Sequence, residues 1–258
     1  MPTFGGKKRV CYFLLGLFFS IPAVAASGHM YIGSSLGASF AKLGNSYPQI
    51  AYLSGATITD AYPLNSNRAS TPVFSVNGGY EFTGANWQPA IALGLGVYTN
   101  LADYGYNGQL IETAQGDPSS TLYNYSYRIN SSRVMAEIQF TWMLWKLSPF
   151  INFGAGTARN SLTGYTETPV TSTGFVALPP FQSQTNVNFA YQAGLGVSAA
   201  FNFAGSVSDF PKERISVGYR YVNLGTTAFG TRGSVYPYQL NTGLFKTNDL
   251  YLSYTHLF

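Results

Sequence analysis

Residues 133–142, Arg133-Val134-Met135-Ala136-Glu137-Ile138-Gln139-Phe140-Thr141-Trp142, decide how this chain folds. Val134, Ala136, Ile138, Phe140 and Trp142 form one alternating set, and Arg133, Glu137, Gln139 and Thr141 fall in the other. A period of two sends the two sets to opposite faces of a β-strand. One face is continuously apolar and the other carries an Arg and a Glu, so the two sides of this strand meet different surroundings.

The same alternation recurs along the chain. The spacing predicts strands over about 29–40, 73–83, 89–99, 127–142, 149–159, 186–201, 213–224 and 247–258. In the first, Ile32, Leu36, Ala38 and Phe40 oppose Gly33, Ser35, Gly37 and Ser39. In the seventh, Ile215, Val217, Tyr219 and Tyr221 oppose Arg214, Ser216, Gly218 and Arg220. Segments of about ten residues with a period of two are the pattern of a membrane-spanning β-barrel. The linkers alternate in length. Those at 83–88, 143–148 and 202–212 are short, and those at 41–72, 100–126, 160–185 and 225–246 are long. Short turns on one side and long loops on the other are the asymmetry such barrels show, and an even strand number brings both chain ends to the periplasmic side. Pro72, Pro89 and Pro149 are expected at strand starts, where a missing N–H is tolerated.

Composition agrees. Charged residues make up 9% of the chain, whereas Gly 28, Tyr 20 and Phe 19 are high; soluble domains average about 25% charged. No later segment reaches about 18 consecutive apolar residues, so no transmembrane helix is expected. The expected charges Glu81, Arg133, Glu137, Arg214 and Arg220 all fall on the less apolar face, and none is expected on the apolar one. An Arg or Lys facing the bilayer midplane costs about 2–4 kcal/mol, so the apolar face is assigned to lipid and the charged face to the lumen. Backbone groups in hydrocarbon have no water to bond, so the sheet has to close. The predicted fold is all-β, an eight-stranded antiparallel up-and-down transmembrane β-barrel.

A barrel of eight strands is about wide enough for its own side chains. Glu81 and Glu137 are therefore expected to pair inside with Arg133, Arg214 or Arg220. Gly94, Gly96, Gly154, Gly156, Gly194 and Gly196 would leave room for these long groups. A salt-bridged plug is favoured over an ion path, because unpaired buried charge is costly.

The first residues set the compartment. Lys7, Lys8 and Arg9 precede an apolar run from Val10 to Phe19, then Ser20-Ile21-Pro22 and Ala23-Val24-Ala25-Ala26. This is the layout of a secretory signal peptide, here residues 1–26, with cleavage after Ala26 favoured over Ala25. Residues 27–258 are the barrel domain. Without the signal the basic excess shrinks to about one, which gives no reason to expect nucleic acid. The only Cys, Cys11, leaves with the signal and lacks a lipoprotein context. With only His29 and His256 remaining at the two ends, no metal site is expected.

The run Gly218-Tyr219-Arg220-Tyr221-Val222-Asn223-Leu224-Gly225 resembles the penultimate strand of the OmpA-like and opacity-protein-like eight-stranded outer-membrane barrels. Ala193-Gly194-Leu195-Gly196-Val197 is similar to their glycine-spaced strands. Leu250, Leu252, Tyr254 and the final Phe258 are similar to the ending that the barrel-assembly machinery recognises in these families. The resemblance implies the outer membrane of a Gram-negative bacterium, with outer-membrane lipid and lipopolysaccharide as surroundings. His256 departs from the hydrophobic pattern of that ending. No further domain follows the barrel, so a cell-wall tether through this chain is not expected.

Trp87, Trp142 and Trp145 lie at the short turns, as an interfacial aromatic girdle would. The tyrosines Tyr104, Tyr106, Tyr123, Tyr125, Tyr236 and Tyr238 fall in predicted long loops, among Ser, Asn and Gly. This chemistry suits an adaptable recognition surface, and equally an inert shielded one. The Gly-x-Gly pairs open no helix, so no nucleotide or other cofactor is expected. No His reaches the outer rim, so no catalytic set is expected, although a carboxylate group from Asp60, Asp103, Glu112, Asp117 and Glu167 stays open. The expectation is a non-enzymatic surface protein that supports envelope integrity and binds a host surface or matrix ligand through its loops. A narrow channel and an outer-membrane enzyme are the alternatives.

Overall fold

The computed structural model describes residues 28–53, 57–83, 88–114, 120–143, 147–170, 181–201, 212–231 and 239–258. The proposed signal peptide, Trp87, Trp145, Asp117, Tyr236 and Tyr238 lie outside them. The strands in chain order are β1 Gly28–Leu43, β2 Gln49–Leu53, β3 Thr57–Ala61, β4 Arg68–Phe82, β5 Ala90–Asn100, β6 Tyr104–Ala114 and β7 Ser120–Thr141. They continue with β8 Ser148–Pro169, β9 Phe181–Gln182, β10 Gln184–Phe201, β11 Glu213–Ala228, β12 Gly230–Thr231 and β13 Asn241–Leu257.

Eight of these strands pair in the ring β7-β5-β4-β1-β13-β11-β10-β8, which the β7–β8 ladder closes. Each ring strand pairs antiparallel with the next in the chain, and β13 returns to β1. The cylinder therefore has no free edge within the ring, as burial in hydrocarbon demands. These eight strands correspond to the eight read from the alternation.

The alternation sorts side chains as expected through the middle of each strand. Leu36, Leu95, Phe153, Leu195, Val217 and Leu252 are among the large apolar groups left exposed on the outer wall. On β1 the outward parity runs from Met30 to Phe40. At about 3.4 Å per residue and a tilt of about 40°, that stretch stands about 26 Å tall, close to the ~25 Å apolar band of outer-membrane barrels.

Three expectations need correction. First, the long linkers are not loops throughout. β7 and β8 are each 22 residues long, about twice the 9–11 residues a strand needs to cross a bilayer. β6 continues upward from β5 along β7, β3 pairs with β6, and β2 with β3. The period-two signal weakens here because the outward side chains become polar once the wall leaves hydrocarbon. Second, Pro72 lies inside β4, facing outward, rather than at its start. Third, the outward face does carry charges, at both rims of the apolar band. Arg128 and Arg159, inside predicted strands, face outward, and so do Lys42, Arg68 and Lys246. Glu213 and His256 frame the opposite rim, 3.5 Å apart. Strands longer than the membrane carry their ends into water or headgroups, where charge is no longer penalised.

The walls also pack closely at glycine. A Cβ added to Gly156 on β8 would lie 2.0 Å from the Val134 carbonyl oxygen of β7. Gly156→Val should therefore weaken the very ladder that closes the ring, by about 1–3 kcal/mol as overpacking does. A lower urea midpoint and less of the heat-modifiable folded band on unheated gels would register it; an unchanged midpoint would contradict this packing.

Candidate functional site

Charged side chains of both signs converge in the lumen, which is built in three layers. Nearest the chain termini, Glu81 of β4 and Arg214 of β11 face each other across the barrel. Arg214 donates from Nη1 to Oε2 at 2.6 Å and from Nη2 to Oε1 at 2.7 Å. Both residues are buried. This fork-to-fork geometry is the strongest form of the Arg–carboxylate bond.

The middle layer centres on Asp249 of β13, which is fully buried. It accepts hydrogen bonds from Ser39 Oγ at 2.6 Å and from Arg133 Nη2 at 2.7 Å. Arg220 Nε lies 3.5 Å from its Oδ2. Arg220 is the direct cross-strand partner of Asp249, whereas Arg133 reaches it from β7 across the lumen. The Arg220 guanidinium is held between the Tyr98 and Tyr251 rings, 4.4 and 4.6 Å from their centroids. The Tyr251 ring lies where a side chain at Gly218 would have to be. Glu137 accepts hydrogen bonds from the Tyr98 hydroxyl and from Gln192 Nε2, the latter at 2.6 Å. A polar cavity of about 60 Å³ separates this layer from the first, lined in part by Ser35, Ser75, Gln139 and Asn152.

All five predicted lumen charges thus lie inside the wall. Glu81 meets Arg214 and Arg133 meets a carboxylate, but among the described residues no arginine lies within ion-pair distance of Glu137; a tyrosine and an amide hold it instead. The missing residue was Asp249. With it, Glu81, Glu137 and Asp249 match Arg133, Arg214 and Arg220 in number, so among the described residues these two layers carry equal formal charge of each sign. Its parity was readable, since it alternates with the outward Leu250 and Leu252. Leu250, Leu252, Tyr254 and Phe258 themselves are exposed on the outer wall.

The third layer lies in the outer half of the barrel and is mainly apolar, although Asn160, Thr227 and Thr242 are also buried at this end. Leu43, Tyr104, Ile129, Leu162, Leu224, Phe229 and Phe245 are all under 2% exposed. Tyr127 and Phe229 meet edge to face at 5.2 Å, as do Tyr104 and Phe245 at 5.4 Å. Tyr104, Tyr106 and Tyr125, expected in a recognition loop, are buried in this layer. Their strands carry the inward parity beyond the membrane, so every second side chain still points to the axis. The Tyr104 hydroxyl donates to Ser39 Oγ at 2.6 Å, which ties this layer to the charged layer below.

Above the third layer, inward-facing acids gather. Asp60 of β3 lies directly opposite Glu112 of β6. Burial first, then the charges of Glu112 and Glu167, push the Asp60 carboxyl up to about 7. Burial also raises Glu167, against the 2.6 Å bond it accepts from the Tyr165 hydroxyl. Asp103 instead accepts from Asn130 Nδ2 at 3.0 Å and lies 3.9 Å from Arg128. Among the described residues no group of His, Cys, Asp and Glu is placed to hold a metal ion.

Two outcomes follow. Asp249→Ala strands Arg133 and Arg220 in the lumen and should cost about 3–5 kcal/mol of unfolding free energy. Urea titration of the refolded barrel would measure it, and a loss under about 1 kcal/mol would contradict the layered network. Asp60 has a folded value raised above the ordinary carboxyl range. Its contribution is fully present below that range and is lost as pH rises through about 7. The amides of β3 and β6 should therefore exchange faster at pH 8 than at pH 6 after correction for intrinsic rate. Asp60→Asn should flatten the dependence.

No family model matches the chain, and no curated protein matches it. Solved structures do. Neisserial surface protein A is similar at 11% identity and a TM-score of 0.43, over 90% of this chain and 99% of that one. Ail, the attachment invasion locus protein of Yersinia pestis, is similar at 14% and 0.36, over 90% and 99%. The outer membrane protease OmpT of Escherichia coli is similar at 8% and 0.38, over 90% and 96%. At such identities no activity or ligand passes to this chain. Its own hydrogen-bonded ladder makes it an all-β protein built on a closed, eight-stranded, antiparallel up-and-down barrel.

Proposed function

We propose that this chain is a non-conducting surface protein of a Gram-negative outer membrane. In this reading the barrel strengthens the envelope and its raised outer sheet meets a host surface or matrix ligand. The filled lumen carries the proposal: a charge-matched layer around Asp249 lies beneath a plug of fully buried aromatic and aliphatic groups. An ion would have to displace both, and the outer layer surrounds it mainly with apolar groups.

The outer extension supports the display role. Asn107 and Gln109 on β6, Asn124 and Ser126 on β7, and Thr166 and Thr168 on β8 all face outward and exposed. Neutral amides and hydroxyls on a rigid sheet form a surface that binds by many weak hydrogen bonds. Synthesis with residues 1–26 as a signal peptide and folding through the barrel-assembly machinery, which would read Leu250, Leu252, Tyr254 and Phe258, belong to the same reading. So does a non-enzymatic role, since His29 and His256 both lie at the opposite rim from the extension.

Refolded protein in planar bilayers should give no discrete conductance steps. Replacing residues 47–64 by a short Gly-Ser turn should leave the barrel folded and abolish attachment to host cells or extracellular matrix. Steps of defined size would refute the closed lumen, and undiminished attachment by the shortened protein would refute the display role.

A further inference from the structure

The outward charges differ in one respect. Arg128 has Asp103 nearby, and Glu213 has His256. Lys42, Arg68 and Lys246 have no ion-pair partner among the described residues. They are nevertheless neighbours: Lys42 of β1 lies directly opposite Arg68 of β4 on one side and Lys246 of β13 on the other. Direct cross-strand partners stand about 4.5–5.5 Å apart, and like charges there destabilise a sheet. Three adjacent strands thus hold three cations in one unfavourable row on the outer wall.

The rows beneath it follow the same register. The next outward row toward the membrane is Ser70, Phe40 and Asn248, polar with one ring. Below that come Pro72, Ala38 and Leu250, then Phe74, Leu36 and Leu252. Lys42, Arg68, Phe40, Ser70 and Asn248 also line a shallow groove on the wall. From top to bottom this strip changes from cationic to polar to wholly apolar over the depth of a few residues.

We propose that the Arg68–Lys42–Lys246 row and the strip below it bind one phosphorylated, multiply acylated glycolipid of the outer leaflet. The phosphate lies against the three cations, sugar hydroxyls meet Ser70 and Asn248, and acyl chains run down over Phe40, Phe74, Leu250 and Leu252. An anion relieves the repulsion within the row, and an amphiphile is the ligand that matches both ends of the strip. The inference rests on the membrane orientation given under Proposed function, which puts this rim in the outer leaflet.

The test uses the refolded full barrel in zwitterionic detergent micelles, with lipid adducts counted by native mass spectrometry. Bisphosphorylated lipid A should be retained. Each cation near an anionic headgroup contributes roughly a fivefold factor, so Lys42→Gln/Arg68→Gln/Lys246→Gln together should weaken retention on the order of a hundredfold. Arg159→Gln, which removes a single outward cation elsewhere on the same rim, should leave it unchanged. Dephosphorylated lipid A should be retained poorly, and millimolar inorganic phosphate should not displace the bisphosphorylated form. Equal retention by the triple variant, an equal loss in Arg159→Gln, equal retention of the dephosphorylated lipid, or displacement by free phosphate would each overturn the proposal. Insertion into liposomes, read by heat-modifiable mobility, separates the two failures. A protein that inserts without this lipid preference loses only the site; one that never inserts loses the membrane reading as well.

Discussion

Closure of the β7–β8 ladder is the constraint on which the rest depends. Once eight strands form a cylinder, half of every strand's side chains are committed to a lumen only as wide as the side chains themselves. Nothing placed there can turn away to solvent. Each inward polar group needs a partner on the same or the facing wall, and each inward charge needs its opposite. Glu81 finds Arg214 across the barrel, and Asp249 gathers Arg133, Arg220 and Ser39 around one carboxylate. A carboxylate with two hydrogen-bond donors and a second guanidinium 3.5 Å away is compensated, whereas any of the arginines alone would be an uncompensated buried charge.

The lumen changes character along its axis for a physical reason. In the half nearer the termini, charged and amide side chains cross-link facing walls and leave a small polar cavity. In the outer half, strands continue past the membrane, and a soluble-like core of Tyr, Phe and Leu replaces them. There the inner face buries apolar surface while the outer face meets water, the reverse of the arrangement lower down. One period of two serves both settings; only the identity of the two faces is exchanged. The bond from Tyr104 to Ser39 joins the halves, so the apolar core sits directly on the network that orients Asp249.

The outer wall is graded in the same way. Apolar side chains cover the central band, and among the described residues the outward charged ones lie toward its rims. Lys42, Arg68 and Lys246 mark the upper rim on three neighbouring strands, while Glu213 and His256 mark the lower. The inside and the outside of one wall thus record two different boundaries. The outward residues register where hydrocarbon ends, and the inward ones register where charge pairing gives way to apolar packing.

The alternation of Val134, Ala136, Ile138, Phe140 and Trp142 against Arg133, Glu137 and Gln139 determined strand, faces and lumen by itself, because side-chain parity is a local property of an extended chain. The same parity repeated eight times determined closure, since an open sheet cannot persist in hydrocarbon. What partner each lumen charge takes was decided only in three dimensions. Glu137 turned to Tyr98 on the neighbouring strand and to Gln192, and Arg133 to Asp249 across the barrel, because strand pairing and stagger set which side chains meet at one height, which no single segment encodes. The tyrosines at 104, 106 and 125 read as loop residues for the same reason. Their flanking residues lack the apolar alternation of a membrane strand, and only the ladder along β7 shows that they face the axis of a wall that has left the bilayer.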